Sequence, residues 1–357
     1  MKIKVFTLET DLLLVFCTDQ RSRSESLLRK INQFPFDWEY VFRKFEENKI
    51  SCQALLQVLP LVPSLRLFES KIQSQIQMER IHEEKYIALA RLTNDLLSRS
   101  DVNHVMIKII ECPWAYSVDF DVLAEPIEEL KALEALHKEG FTFFQFRLLA
   151  DSLKIMAKKS SYNGIAIDFY PEPAWIRKKV STVEEISSRK RNKRIYGVNM
   201  NIPSAEDNIL LVASHSYNHL NFLLPEILHG INLISDTKID WSYLISASKK
   251  NGVLHATFAY LCLINEYSSR FYGDVLVPKE AIELFRRHSV CKILEKWFEK
   301  RKSTDVCFPV RIPFQWGIFL SLIYRALNTA RKGDGGLVNE VLAHMLALSS
   351  KLVRGFT

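Results

Sequence analysis

The segment from Lys108 to Asp121 holds the chain's most chemically pointed pattern, with a lysine at one end and Ser117-Val118-Asp119-Phe120-Asp121 at the other. In an extended strand alternate side chains share a face, so Asp119 and Asp121 present two carboxylates together while Val118, Phe120 and Val122 turn to the core. Adjacent anions repel, and the arrangement becomes favourable when a divalent cation lies between them. Hard Mg²⁺, or Mn²⁺, prefers such oxygen donors together with substrate phosphates. Asp168, in Ile165-Ala166-Ile167-Asp168-Phe169-Tyr170, supplies a third carboxylate on a later strand. Such a set can hold one or two metals, which would activate an attacking hydroxyl and stabilise a pyrophosphate leaving group. The plainer alternatives are a solvent-facing strand edge for the aspartates and an ordinary surface lysine for Lys108.

Two other groups of residues invite chemistry. His215 and His219 stand one helical turn apart, but His-Ser-Tyr-Asn-His lacks the glutamate of a zinc protease, so a buried hydrogen-bonding pair beneath the sheet is the preferred reading over a zinc site. After Asp168 come Arg177, Lys178, Lys179, Arg189, Lys190, Arg191, Lys193 and Arg194, interrupted by Glu184 and Glu185. This cluster reads as a solvated loop or as a surface for phosphates or RNA, and its position predicts that it borders the carboxylate cleft. The chain has no Walker loop and no GxSxG.

The elements that must position these residues fall into three stretches. Up to about residue 100 the apolar spacing is helical: Asp11–Cys17, Ser24–Gln33, then Asp37–Asn48 with Trp38, Val41, Phe42 and Phe45 on one face and Asp37 as cap. A long amphipathic helix is predicted from Leu65 to Ser98, its apolar positions including Leu67, Ile72, Ile76, Met78, Ile81, Tyr86 and Leu89. Between about 102 and 171 the pattern turns to strands, at 105–110 and 118–123, then a helix at 127–138 closed by Gly140, strands at 141–148 and 153–157, and an Asn163-Gly164 hairpin turn into 165–170. Residues 172–200 read as a basic connector. Helices return at Ser204, which with Asp207 forms a capping-box variant, and Asp240-Trp241 repeats the helix start seen at Asp37-Trp38. The expected architecture is an α/β core with a small mixed sheet at 101–200, flanked by all-helical segments at 1–100 and 201–357.

The composition of the 357 residues, 48% hydrophobic and 25% charged, excludes a disordered or low-complexity chain. An excess of 48 basic over 41 acidic residues is mild, so phosphate-bearing partners are favoured without being demanded. The six cysteines are scattered with no CxxC pair, which suits reduced thiols. Leu12–Cys17, bracketed by Glu9, Asp11 and Asp19, lacks the length and flanks of a signal peptide. Asn208–Pro225, the longest uncharged stretch, contains His215, Asn218, His219 and Asn221, which argues against a membrane span. A cytoplasmic protein is expected.

Lys108, the strand Ser117-Val118-Asp119-Phe120-Asp121-Val122-Leu123, Asp168 and the His215/His219 pair stand in the order seen in nucleotidyltransferases related to DNA polymerase beta. The chain most resembles the branch called uncharacterised nucleotidyltransferases, and the helix beginning Ile239-Asp240-Trp241 is similar to that branch's downstream helix. The resemblance covers roughly residues 102 to 265. It implies a nucleotidyltransferase-like core that moves a nucleotidyl group from an NTP to an acceptor hydroxyl on a small molecule, RNA or protein. Asp119, Asp121 and Asp168 would be the ligands of Mg²⁺ or Mn²⁺, with Asp168 as ligand or base, and Lys108 and Ser117 would contact phosphate. Family members carry Gly beside the first strand, whereas this chain has Ile109 and no Gly from 102 to 139. That departure supports a second expectation, a catalytically inactive member of the fold that binds nucleotide, nucleic acid or a protein partner.

Overall fold

The computed structural model describes residues 31, 37–57, 59–112, 115–117, 119–146, 154–162, 164–175, 178–219, 221–288, 291–296 and 310–311. The helices expected at Asp11–Cys17 and Ser24–Gln33 lie outside these residues, except for Ile31. Helix α1 (Trp38–Glu47) opens where Asp37 accepts the Tyr40 N–H at 2.9 Å, and Trp38, Val41, Phe42 and Phe45 are buried along one face. The long helix α2 (Glu69–Arg99) starts later than the apolar spacing predicts. Residues 59–68 form 3₁₀ turns instead, because Pro60 and Pro63 remove amide donors a continuous helix would need. Its two halves serve different cores: Ile72 and Ile76 pack with α1, whereas Tyr86, Leu89 and Leu97 pack on the sheet. Leu67, Met78 and Ile81, expected on the apolar stripe, are exposed at 86%, 57% and 47%, the last two where the helix passes from one core to the other.

Five strands build one mixed sheet. They are β1 (His104–Ile107), β2 (Asp119–Ala124), then, after helix α3 (Pro126–Lys138), β3 (Thr142–Phe146), β4 (Lys154–Lys158) and β5 (Ala166–Tyr170). Their order is β1-β2-β5-β4-β3, with β2 and β5 parallel and every other neighbour antiparallel. The connection from β4 to β5 is longer than the predicted two-residue hairpin. A 3₁₀ turn at Ser160–Tyr162 precedes Gly164, whose φ of +89° needs glycine's freedom, and Asn163 lies outside the described residues. Met106, Phe120, Val122, Ile167 and Phe169 form one face of the sheet, under α2 and α3. Val105, Ile107, Leu123 and Tyr170 form the other, and by strict alternation Asp119, Asp121 and Asp168 share it.

Residues 172–200 are more ordered than a connector. Strands β6 (Ala174–Trp175) and β7 (Lys178–Lys179) pair, and helix α4 (Val183–Ser188) starts with a capping box between Thr182 and Glu185. Strands β8 (Arg191–Ile195) and β9 (Val198–Ile202) then form a hairpin through Tyr196 and Gly197, both at positive φ. The burial of Val198, Met200 and Ile202 along one side of β9 drives this hairpin, a period-2 signal that the neighbouring run of basic residues conceals.

Helix α5 (Ala205–Asn218) is capped by Ser204, whose hydroxyl accepts the Asp207 N–H at 3.1 Å. The Asp207 carboxylate turns elsewhere, to the Ser204 and Tyr243 hydroxyls and to Arg189 at 3.3 Å. Strand β10 (Asn221–Phe222) follows, then α6 (Leu224–Asp236), α7 (Trp241–Lys250), α8 (Leu254–Tyr272) and α9 (Lys279–Arg286). Because β10 pairs with β11 (Val310–Arg311), this part of the chain is not wholly helical. Asp240 caps α7 by accepting the Tyr243 N–H at 3.0 Å, the same device as Asp37. Helices before and after the sheet share one core, in which Trp38, Phe45 and Ile72 join Ile209, Leu228 and Tyr260. No helix among the described residues is long and apolar enough to cross a membrane.

Helices α6 and α8 meet at Gly230, where an added Cβ would stand 2.5 Å from Ile264 Cδ1 and 2.6 Å from the Tyr260 hydroxyl. That hydroxyl donates to the Glu226 carbonyl, so the contact also ties α6 to α8. Alanine gains about 1 kcal/mol of helix propensity but forces a rearrangement costing about 1–3 kcal/mol. Urea unfolding is expected to show Gly230→Ala destabilised by up to about 2 kcal/mol; a stabilised variant would mean that the two helices part without cost.

Candidate functional site

The parallel register of β2 and β5 sets Asp121 opposite Asp168, and one carboxylate oxygen from each of Asp119, Asp121 and Asp168 lies within 4.8 Å of the others. Asp121 is 6% exposed and Asp168 1%, so both are held in a poorly solvated place. Asp168 Oδ1 is buried with no hydrogen-bond partner. A carboxylate oxygen in that state costs free energy unless a cation or a proton meets it.

Strand β1 ends at Ile107, and Lys108 takes a φ of +58°, a left-handed conformation that a side chain adopts at some cost. The turn delivers its ammonium to Asp121 Oδ1 at 2.6 Å, with the Tyr170 hydroxyl 3.4 Å away. A second lysine, missed by sequence reasoning, mirrors it. Lys154 Nζ lies 2.5 Å from Asp168 Oδ2, because the antiparallel pairing of Met156 with Asp168 puts Lys154 on the same face of β4. The Tyr170 ring lies beside both ammonium groups, at 5.0 Å from Lys108 and 5.9 Å from Lys154. Alternation within β5 marks Tyr170 as a neighbour of Asp168, but nothing local in the sequence connects Lys154 to it.

Burial pushes the Asp121 pKa up to about 6, against the attraction of Lys108 and with the help of Asp119 and Asp168. Burial pulls Lys108 the other way, yet Asp121 and then Asp119 outweigh it and hold the ammonium above the ordinary lysine value. The Tyr170 phenol is pushed well up, first by burial and then by Asp121, and stays protonated.

Asp119, Asp121, Lys108 and Ser117 line a cleft of about 440 Å³ between this face of the sheet and the helices; Asp168, beside Asp121 in the strand register, does not line it. The loop carrying Ser117 is tied down by a bridge between Ile50 and Ala115, by the Tyr116 N–H donating to Lys49 O at 3.1 Å, and by His82 against the Ser117 carbonyl at 2.6 Å. Asn48 accepts the Leu224 N–H at 3.1 Å and so joins the end of α1 to the start of α6. The loop after Lys108 is held by His229, whose Nδ1 accepts the Glu111 N–H at 3.1 Å. Burial, then Lys193, pushes the His229 pKa down to about 3, so the ring is neutral and able to accept.

Two expectations are corrected here. His215 and His219 are not buried beneath the sheet: they line the cleft with rings 4.5 Å apart, because the last turn of α5 ends at its edge. Nor do the described basic residues of 179–194 line the cleft. The fold uses them itself: Arg189 pairs with Glu206 at 2.9 Å and covers the Tyr243 ring, Lys190 donates to Asn103, Arg191 to the Pro203 carbonyl, and Lys193 pairs with Glu111. Arg177 lies outside the described residues. Across the cleft, sequence reasoning missed Glu226, a buried acid whose carboxylate accepts the Leu223 N–H at 2.8 Å and whose pKa burial pushes up to about 7.

An all-carboxylate donor set with a buried, unpartnered oxygen fits a hard divalent cation such as Mg²⁺ or Mn²⁺. Among the described residues no disulfide joins the cysteines, and burial pushes the Cys52 and Cys112 thiols up to about 12, which keeps them protonated and poor metal ligands. No protein-family model, curated protein or solved structure matches this chain, so its function is read from the geometry of this site.

Proposed function

We propose that the chain is a metal-dependent nucleotidyltransferase, with a nucleotidyltransferase-like core, that moves a nucleotidyl group from an NTP to an acceptor hydroxyl. The supporting observation is the convergence of Asp119, Asp121 and Asp168, with an unpartnered oxygen on Asp168, beside a cleft that Asp119 and Asp121 line together with Lys108 and Ser117. These three carboxylates would hold Mg²⁺ or Mn²⁺, and the chemistry the bound ion supplies is neutralisation of phosphate charge. Lys108 and the Ser117 hydroxyl orient the phosphates. The acceptor oxygen bonds to the α-phosphorus, the bond from that phosphorus to the α,β-bridging oxygen breaks, and pyrophosphate leaves with the electron pair. The hydroxyl proton passes to the carboxylate of Asp168.

Incubation with α-labelled ATP, GTP, CTP and UTP in the presence of Mn²⁺, with RNA, small metabolites and the protein itself as acceptors, tests this reading. Pyrophosphate release and transfer of label are expected, reduced at least about a hundredfold in Asp119→Asn. Absence of both products with every nucleotide would sink it. A second reading, a catalytically inactive protein that binds nucleotide, is favoured by one feature: Asp121 and Asp168 already carry lysine counter-ions. It anticipates nucleotide binding that needs no metal and releases no pyrophosphate.

A further inference from the structure

We propose that Lys108 and Lys154 are exchangeable counter-ions, paired with Asp121 and Asp168 in the metal-free protein and transferred to polyphosphate oxygens when a divalent cation takes the carboxylates. The inference rests on the metal reading given above. It assigns Lys154 a role in binding and makes the binding of metal and polyphosphate interdependent.

The geometry supports an exchange. Each lysine meets a different buried carboxylate, at 2.6 Å for Lys108 and 2.5 Å for Lys154, and both carboxylates belong to the set of three that would hold a metal. Their side chains are 11% and 25% exposed, so both ammonium groups sit at the margin of the buried acids. Tyr170 lies between them, and its face stabilises a cation that has left its carboxylate. Charge explains the coupling. Three carboxylates and two ammonium groups sum to −1 when all are ionised, and a divalent ion changes that to +1. A net positive, poorly solvated cluster calls for an anion, and the ammonium groups displaced from the acids are the donors able to receive it. The metal alone must compete with the lysines, and the polyphosphate alone must approach free carboxylates. Each therefore raises the affinity for the other by the same factor.

Two measurements test this. The first is titration with Mn²⁺ alone, read by the paramagnetic resonance signal of free Mn²⁺, for the wild type, Lys108→Met, Lys154→Met and the charge-preserving Lys154→Arg. The Met variants are expected to bind Mn²⁺ about tenfold tighter, with wild-type affinity in Lys154→Arg, while the preformed complex of Mn²⁺ with inorganic triphosphate binds the Met variants about tenfold more weakly. A purely structural lysine would not move these two affinities in opposite directions. The second needs no variant, so it holds even if a Met substitution prevents folding. Acetylation of Lys108 and Lys154 by a lysine-selective acylating reagent, followed by mass spectrometry, is expected to speed up about fivefold on adding Mn²⁺ and to slow again with triphosphate. Mn²⁺ binding by the wild type with unchanged labelling of both lysines would overturn the exchange and leave the metal reading standing. No Mn²⁺ binding by any form, with or without triphosphate, would remove both.

Discussion

Replacing Asp121 with Asn is expected to lower Mn²⁺ affinity at least about a hundredfold, some 2.7 kcal/mol, while the protein remains folded. Asn keeps the shape of Asp but removes the charge. At an effective dielectric constant near 20, a unit charge a few ångströms from a divalent ion is worth several kcal/mol, so losing one of three carboxylates outweighs any relaxation of the remaining two. Folding is expected to survive because burial already disfavours the Asp121 anion, and because Lys108 retains Asp119 as a neighbour. Asp168→Asn is expected to do the same to Mn²⁺ binding by removing the unpartnered oxygen's charge. Calorimetric titration, with circular dichroism as the check on folding, decides the matter; equal Mn²⁺ binding by the wild type and both variants would dismiss these residues as ligands.

Glu226 should produce a large pH effect on stability. It is 8% exposed, and burial raises its pKa in the folded protein to about 7, whereas an unfolded glutamate titrates near 4.3. Between these values the folded state binds more protons than the unfolded one, so stability falls as pH rises from about 4.3 to about 7 and stays lower above that. The loss amounts to roughly 4 kcal/mol. Glutamine resembles the protonated acid and can still accept the Leu223 N–H, so Glu226→Gln should match the wild type near pH 4 and exceed it by roughly 4 kcal/mol at pH 8. Urea unfolding at the two pH values measures the difference. A variant equally destabilised at both would show that the carboxylate contributes through its contacts and not through its charge.

The features legible in the sequence are those that depend on neighbours a few residues away. Asp37 and Asp240 cap helices because each carboxylate reaches an amide three residues on, and that reach is written in the local order of residues. Alternation within β2 sends Phe120 and Val122 to one face and Asp119 and Asp121 to the other, as the period of an extended chain demands. Alternation in β5 separates Asp168 from Ile167 and Phe169 by the same rule. Where a basic run preceded the alternation of β9, the local signal was hidden, and a hairpin read as a connector.

The tertiary structure decided what met what. Only the pairing of β2 with β5 determines that Asp121 faces Asp168, and only the register of β4 brings Lys154 to that carboxylate. Strand register is a property of two segments, selected by which faces can be buried together, and neither segment encodes it alone. The same holds for charge. Arg189 and Lys193 look available to a polyanion in the sequence, but the fold gives them Glu206, Asp207 and Glu111 as partners, whereas the cations beside the carboxylates are Lys108 and Lys154. Residue types and local spacing determined by themselves that three aspartates belonged on strands, two of them sharing a face; the long-range packing of those strands determined that the three surround one point, because a carboxylate's surroundings are made by segments distant in the chain.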